Sequence, residues 1–456
     1  MTVENDSKTN GQASKTTQTQ KQNGTNGTSA DQPSEAKPWS AYMTQIYLTK
    51  QPPSIGNFDA QALEDCAREA TKNNPQAFTF VHGGAGAGRT VRANRDALDR
   101  WQIIPQMLRD ATVRNLETTI FGVKRRSPIC VGPVGVQGIL HAEAELATAR
   151  AAARVGVPFV MSTPSSRSPE QVAEACADGD RWFQMYWPRS EEITISLLSR
   201  IKASGFSVLV LTLDSPVLGF RPHDLATAYM PFSHGLGTQV GLSDPVFMAR
   251  FGMAPRHERP PFPYDEAACQ AALDAGDPVQ TERTRLGFAW LGETNPGTFR
   301  GWEAMGWLRT RWEGPLVLKG VQSVGDAERA VEMGADGIVV SNHGGRQIDG
   351  AIGSFLALEL IMRSQRVRDA QAAGKFTVFF DSGVRNGSDV LKAIAMGAQG
   401  VFVARPIMYG LSINGEQGVE EVLRGLLADT EITLGLSGYK NLDEIWGKRE
   451  EFMIKV

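Results

Sequence analysis

The 456-residue chain predicts an α/β fold, a (β/α)8 (TIM) barrel with a long insertion after its fourth strand and a disordered N-terminal tail. Three observations predict it. From Pro128 onward, eight short apolar runs alternate with segments whose apolar residues recur at helical spacing. Runs that are apolar throughout belong to parallel strands covered on both faces. Chemically distinctive residues follow nearly every run, where a barrel places its functional groups. An open doubly wound sheet is the alternative architecture.

Residues 1–37 consist largely of Thr, Asn, Gln, Lys, Ser and Gly. So few apolar side chains cannot offset the entropy of ordering, so a disordered tail is expected there. One catalytic domain is expected over 38–456. Residues 58–74 read as a helix, with Leu63, Cys66, Ala67 and Ala70 on one side. The expected strands are Ile129–Val131, Pro158–Met161, Trp182–Tyr186, Val208–Leu213, Leu316–Leu318, Gly337–Val340, Thr377–Phe380 and Val401–Val403. Between them, 144–155, 169–177, 191–203, 324–333, 355–364 and 387–396 read as helices. The fourth connection is much the longest. Residues 222–264 contain seven prolines, which predicts mostly irregular chain. An insertion over about 222–300 at the catalytic end reads as a lid, with a decorative loop as the plainer alternative.

Lys+Arg total 47 against Asp+Glu 50, a formal charge of -3. This excludes a strongly basic nucleic-acid binder. No apolar run reaches the ~18 residues of a membrane span, and no secretory signal core is evident. The four cysteines, Cys66, Cys130, Cys176 and Cys269, are widely spaced without a C-x-x-C pair. They read as reduced thiols in a cytoplasmic protein with no metal site.

The strand ends form a coherent set. Strand one ends in Gly132-Pro133-Val134-Gly135, strand two in Ser162-Thr163. Gln184 and Tyr186 lie on strand three. Strand four ends Thr212-Leu213-Asp214, with Arg221 beyond, and strand five ends in Lys319-Gly320. Ser341-Asn342-His343-Gly344-Gly345-Arg346-Gln347 follows strand six, Asp381-Ser382-Gly383-Val384-Arg385 follows strand seven, and Ala404-Arg405 follows strand eight. Gly383, Arg385, Arg405 and the helix start after Gly387 suggest a phosphate site. Gln184, Thr212 and Lys319 interrupt apolar runs and need hydrogen-bonding partners. A flat heterocycle with polar edges suits them, with Lys319 beside a ring that becomes anionic on reduction. A structural salt bridge from Lys319 to Asp214 or Asp381 is the alternative. His343 suits a general base oriented by Asp214. Arg221 and Arg346 suit a bidentate carboxylate grip, and Tyr186 a substrate hydroxyl. Base, clamp and flavin-like cradle together suggest oxidation of a 2-hydroxy acid.

Ser341-Asn342-His343-Gly344-Gly345-Arg346-Gln347 closely resembles the signature of the FMN-dependent 2-hydroxy-acid dehydrogenase/oxidase family. The resemblance runs from about residue 58 to 450 and includes Asp381–Arg385 and Leu436-Ser437-Gly438-Tyr439. It implies that His343 is the base, with Arg221, Arg346 and Tyr186 holding substrate. It implies FMN as cofactor. Lys319 would contact the flavin N1/O2 side, and Gln184, Ser162, Thr212 and the Pro133-Val134-Gly135 segment the ring. Ser341 and Asp381 would meet flavin or ribityl, and Gly383, Arg385, Ala404 and Arg405 the phosphate. O2 is the implied electron acceptor, and a homo-oligomer of four or more copies the implied assembly.

Within the family the chain is most similar to the lactate 2-monooxygenase branch, through Arg221–Leu225, Pro231-Phe232 and Asp244–Phe247 of the insertion. That likeness implies that keto acid and peroxide react under the lid, giving a shortened acid and CO2. Phe80 stands where the family usually has a substrate-binding tyrosine, which favours a bulkier, less polar substrate. Two other readings remain at this point: an oxidase of a larger 2-hydroxy acid in a specialised, secondary-metabolite pathway, and a barrel that binds FMN or a phosphate ligand without turnover.

Overall fold

The computed structural model describes residues 37–456. The expectation of a disordered tail over 1–37 lies, apart from Lys37, outside the described residues. Pro38–Val456 form one compact unit. Its centre is a closed barrel of eight parallel strands, which decides against the open sheet. The strands are β1 (Ile129–Val131), β2 (Phe159–Ser162), β3 (Arg181–Met185), β4 (Leu209–Thr212), β5 (Leu316–Val321), β6 (Gly337–Val340), β7 (Thr377–Phe380) and β8 (Gly400–Val403). Closure comes from Val401, Phe402 and Val403 of β8 pairing with Ile129, Cys130 and Val131 of β1. The insertion does not interrupt the barrel, because Leu209–Thr212 still pair residue by residue with Leu316–Lys319.

Each strand sends alternate side chains inward. Cys130, Val160, Trp182, Val210, Val317, Val339, Phe379 and Phe402 are the inward residues of β1 to β8, and they form one buried cluster. Trp182, Phe379 and Phe402 meet within it at centroid distances of 5.2–6.1 Å. Ile120 joins the cluster from a short antiparallel ribbon, Thr118–Ile120 with Val123–Arg125. The barrel floor is therefore solid, and any ligand must enter from the C-terminal ends.

Two expectations need correction. The single helix over 58–74 is a helix over Ala60–Ala70, capped by Asp59, followed by a second over Pro75–His82, capped by Asn74. The first helix ends at Ala70, and Asn74-Pro75 begins the next, because proline's fixed φ suits the first helical turn. The insertion is irregular only in part: residues 250–265, with Pro255, Pro260, Pro261 and Pro263, carry no helix or strand. It carries helices at Pro222–Thr227, Pro245–Ala249, Glu266–Asp274 and Pro278–Thr294 and a 3-10 turn at Pro231–His234. Pro222, Pro231, Pro245 and Pro278 begin these elements rather than breaking them. Asp244, Asp265 and Asp277 cap the helices that follow them. Val240, Phe247, Met248 and Trp290 are buried, so the insertion packs as part of the domain core.

Candidate active site

Two residues beyond each member of the apolar layer, the same inward faces present Gly132, Ser162, Gln184, Thr212, Lys319, Ser341, Asp381 and Ala404. A polar layer thus lies directly above the apolar one, and a cavity, partly open to solvent, rises from it. All the site residues expected from sequence line this cavity except Asp214 and Ser341. Those two stand one step behind it. Ser341 Oγ accepts from Lys319 Nζ at 2.9 Å, and Asp214 Oδ1 meets His343 Nδ1 at 2.8 Å.

His343 has φ +59°, a left-handed conformation that L side chains seldom adopt. Asn342 holds the turn: its side chain accepts from Gly345 N at 3.1 Å and donates to Ile352 O at 3.0 Å. Ser382, also at positive φ, accepts from Gly344 N at 3.0 Å. Strain held in place by such contacts clusters at functional sites. With Nδ1 facing Asp214, Nε2 is the nitrogen left for chemistry. Burial lowers the imidazole below its ordinary range, against the opposing pull of Asp214 and with help from Lys319. Burial alone would raise Asp214, but His343 and Lys319 hold it down to about 2. The neutral imidazole backed by a carboxylate is the form a base requires. Ser215 Oγ, not foreseen from sequence, donates to Asp214 Oδ1 at 3.0 Å and lies 3.2 Å from His343 Nδ1.

Lys319 is buried and paired with Asp381 Oδ2 at 3.4 Å. The salt-bridge alternative is thus present, yet Lys319 also lines the cavity. Gly320 follows it at φ +102°, and a Cβ there would lie 2.8 Å from Asp214. That glycine lets β5 and the Asp214 segment approach each other.

Gln184 Oε1 accepts from Ser162 Oγ at 2.9 Å and Thr163 N at 3.1 Å. Gln184 Nε2 and Thr212 Oγ1 are buried without a hydrogen-bond partner. Unsatisfied buried polar atoms require explanation, and a planar ligand with polar edges over this layer would supply their partners.

The arginines are more committed than a free clamp would be. Arg346 Nη1 donates to the carbonyls of Phe80 (2.6 Å), Gly83 (2.9 Å) and Val81 (3.2 Å). Arg221 donates from Nε to Arg346 O at 3.2 Å and from Nη2 to Gln347 Oε1 at 3.1 Å. Each guanidinium therefore offers one edge, not a whole fork. Arg405 bonds the carbonyls of Gly344, Val81 and Gly83 at 3.0–3.2 Å, which ties the Phe80–Gly83 segment to the barrel mouth. Arg385 stays at the cavity with Nη1 on Val384 O at 2.9 Å.

The helix after Gly387 is less free than expected. Gly387 N donates to Asp429 and Asp389 N to its cap Asn386. The Gly383 turn and the start of the Arg405–Leu436 helix lie on the cavity instead. Gly383 has φ +102°, and a Cβ there would lie 3.1 Å from Asn94 O. Sequence reasoning also missed Phe232, Trp290 and Leu291, which wall the cavity from the insertion.

The chain matches the family model described as FMN-dependent dehydrogenase over residues 69–451. It belongs to the FMN-dependent dehydrogenase family. Among its relatives is the FMN-dependent alpha-hydroxy acid dehydrogenase qulF of Penicillium citrinum, 42% identical over 409 residues, 88% of this chain and 93% of that one. The 4-hydroxymandelate oxidase of Amycolatopsis orientalis is 37% identical over 83% of this chain and 94% of its own length. Among solved structures, a mandelate oxidase superposes with a TM-score of 0.68 at 33% identity, covering 88% of this chain and 99% of the other. As a family member the chain is an FMN-dependent oxidoreductase. The cavity fits that cofactor on its own chemistry: unpartnered Gln184 and Thr212 for the ring, buried Lys319 for developing negative charge, and the Gly383–Arg385 and Ala404–Arg405 turns for a phosphate. Among the described residues no helix is long and apolar enough to cross a membrane.

Proposed function

We propose that the chain oxidises a 2-hydroxy acid to the 2-keto acid, with the substrate held between the His343–Asp214 pair and the two arginine edges. The observation that carries this reading is the 2.8 Å contact of His343 Nδ1 with Asp214, which leaves Nε2 on a cavity shared with Arg221, Arg346 and Tyr186. Arg221 and Arg346 bind the carboxylate, each through its uncommitted edge. Tyr186 hydrogen-bonds the substrate hydroxyl. Burial raises its phenol above the ordinary range, so it remains a donor. His343 Nε2 takes the substrate proton, and Asp214 stabilises the imidazolium that forms. FMN, when bound, would supply the two-electron acceptor, with O2 as the onward oxidant. Lys319, held by Ser341, would place its charge beside the ring. Gln184, Ser162, Thr212 and Pro133–Gly135 would seat the ring; Asp381, Gly383, Arg385, Ala404 and Arg405 would seat ribityl and phosphate. A barrel that only binds FMN would have no use for a base and a carboxylate seat on one cavity.

The insertion over about 222–300 closes one wall of the cavity, which supports its role as a lid. Keto acid and hydrogen peroxide retained beneath it react to a shortened acid, CO2 and water, the outcome of a monooxygenase. A second reading is favoured by the apolar wall of Phe80, Phe232 and Trp290: the acid carries a large side chain, as a secondary-metabolite enzyme would require. The proposal includes a cytoplasmic setting, in keeping with four free cysteines. It also includes a homo-oligomer of at least four copies, in keeping with exposed Tyr47, Leu48, Met107 and Leu108. Anaerobic mixing with a panel of 2-hydroxy acids tests the activity: the flavin bleaches in wild type and stays yellow in His343→Ala. A flavin that no 2-hydroxy acid bleaches refutes it. Products formed in air separate oxidase from monooxygenase, and light scattering tests the assembly.

A further inference from the structure

One wall of the cavity belongs to no barrel strand. Phe232, Trp290 and Leu291 come from the insertion and Phe80 from the helix ahead of the barrel. Phe80 meets the Phe232 ring edge-on at 6.2 Å. On its other side it lies under the Arg346 guanidinium, 5.4 Å from the ring centroid. The carboxylate seat and the aromatic wall are therefore adjacent.

The wall is rigidly built. Gly287, on the helix that carries Trp290, packs on the Phe232 carbonyl so closely that a Cβ would lie 2.4 Å away. Gly241 packs on the Trp290 ring, where a Cβ would lie 2.3 Å from Cδ2. Phe247 meets the same ring edge-on at 5.1 Å. Gly241 lies against Cγ, Cδ2 and Cε3 of that ring. Nε1 is buried and without a hydrogen-bond partner. Indole N–H groups are donors only, and a buried one normally finds an acceptor.

We propose that this wall is the side-chain subsite, and that the substrate is an aryl 2-hydroxy acid whose ring carries a hydrogen-bond acceptor for Trp290 Nε1–H. The inference rests on the 2-hydroxy-acid reading above. With the carboxylate on Arg221 and Arg346 and the hydroxyl on Tyr186 and His343, the remaining large substituent at C2 faces the aromatic wall. A methyl group would leave that wall uncovered. An aryl ring packs edge-to-face against Phe80 and Phe232, as they already pack with each other. Trp290 then acts as a specificity residue at the far end.

The test compares lactate, mandelate and 4-methoxymandelate in anaerobic flavin reduction by the FMN-loaded protein and by Trp290→Phe. Binding of the corresponding 2-keto acids is read separately from the flavin absorbance change. Wild type should prefer mandelate over lactate at least tenfold in kred/Kd, and 4-methoxymandelate over mandelate about fivefold further. Trp290→Phe should bring the methoxy-to-plain ratio close to one. Ratios between substrates in one preparation do not depend on how much protein folded. If Trp290→Phe yields no folded protein, Trp290→Leu reads the same ratio. A wild type that prefers lactate, or a methoxy-to-plain ratio unchanged by the Trp290 variants, overturns the subsite. If no acid reduces the flavin in wild type, the 2-hydroxy-acid reading fails, and this inference with it.

Discussion

Replacing Asp214 with Asn removes one charge and puts the hydrogen bond that orients His343 in doubt. Asp214 Oδ1 lies 2.8 Å from His343 Nδ1 and also accepts from Ser215 Oγ. When His343 takes the substrate proton, an imidazolium forms beside a buried Lys319 and Arg221, both of which disfavour it. Asp214 is the carboxylate that offsets them. For charge centres roughly 4 Å apart at an effective dielectric near 20, the lost attraction is about 4 kcal/mol. At one decade per about 1.4 kcal/mol, flavin reduction should slow about 1000-fold. An asparagine whose amide faces Nδ1 adds to the loss, because it forces the proton onto Nε2, the nitrogen that must accept one. The side chain keeps its shape, so FMN content and keto-acid binding should stay within about threefold. Stopped-flow flavin reduction under nitrogen measures the rate, and absorbance titration measures binding. A slowing of less than tenfold would refute the assignment of the His343–Asp214 pair as the base. So would a loss confined to binding.

Other outcomes follow from the same geometry. Arg346→Lys should raise the Kd for carboxylate ligands about 10–100-fold, because Lys has no planar fork to serve Phe80, Val81 and Gly83 carbonyls and substrate together. Titration with a non-oxidisable carboxylate checks this. Lys319→Met should slow flavin reduction at least 100-fold and make the flavin midpoint potential more negative, since it removes the cation beside the reduced ring and leaves Asp381 unpaired; a redox titration decides it. The acid limb of flavin reduction should lie below the usual imidazole value of about 6.5, because burial lowers His343 and activity is lost as pH falls through its pKa. Asp214→Asn should move that limb lower still, since it removes the contribution that raises His343. Gly383→Ala should lower FMN retention at least tenfold, because the turn needs φ +102° and an added Cβ presses on Asn94 O. Gel filtration of the loaded protein reads the loss.

The barrel was legible because strands covered on both faces cannot hide their composition. Gly337–Val340 is apolar throughout and Thr377–Phe380 is apolar after Thr377, and their expected bounds match the observed ones. The cavity residues were legible for a related reason. Gln184, Thr212 and Lys319 break the apolar rhythm at inward positions, where a polar group needs a partner. The proline-rich pattern of the insertion predicts its irregular stretch, residues 250–265, but hides its short helices. Pro222, Pro231, Pro245 and Pro278 sit instead at element starts, where a missing N–H costs nothing. An Asp directly before Pro245 and before Pro278 was the signal that could have corrected this reading. Phe232 and Trp290 were missed as a consequence, since no periodicity says which side of an insertion meets the cavity. The commitments of Arg221, Arg346 and Arg405 to carbonyls were equally invisible, because backbone acceptors carry no mark in a sequence.

Those commitments change how the arginines act. Arg346 is pushed well below the ordinary guanidinium range by burial and by the charges of Arg221 and Arg405. Its hydrogen bonds go to neutral carbonyls. Asp224 approaches Arg221 only to 4.0 Å and is itself raised by burial. Burying like charges without a counterion costs several kcal/mol per ion. The carbonyls of Phe80, Val81 and Gly83 hold the guanidiniums in position but do not cancel their charge. A substrate carboxylate would cancel it at Arg221 and Arg346, and a cofactor phosphate near Arg385 and Arg405. Ligand binding then relieves a repulsion already present in the fold, and the arginines need not move to engage. The near-neutral total of the chain conceals this arrangement, because a sum of charges carries no positions.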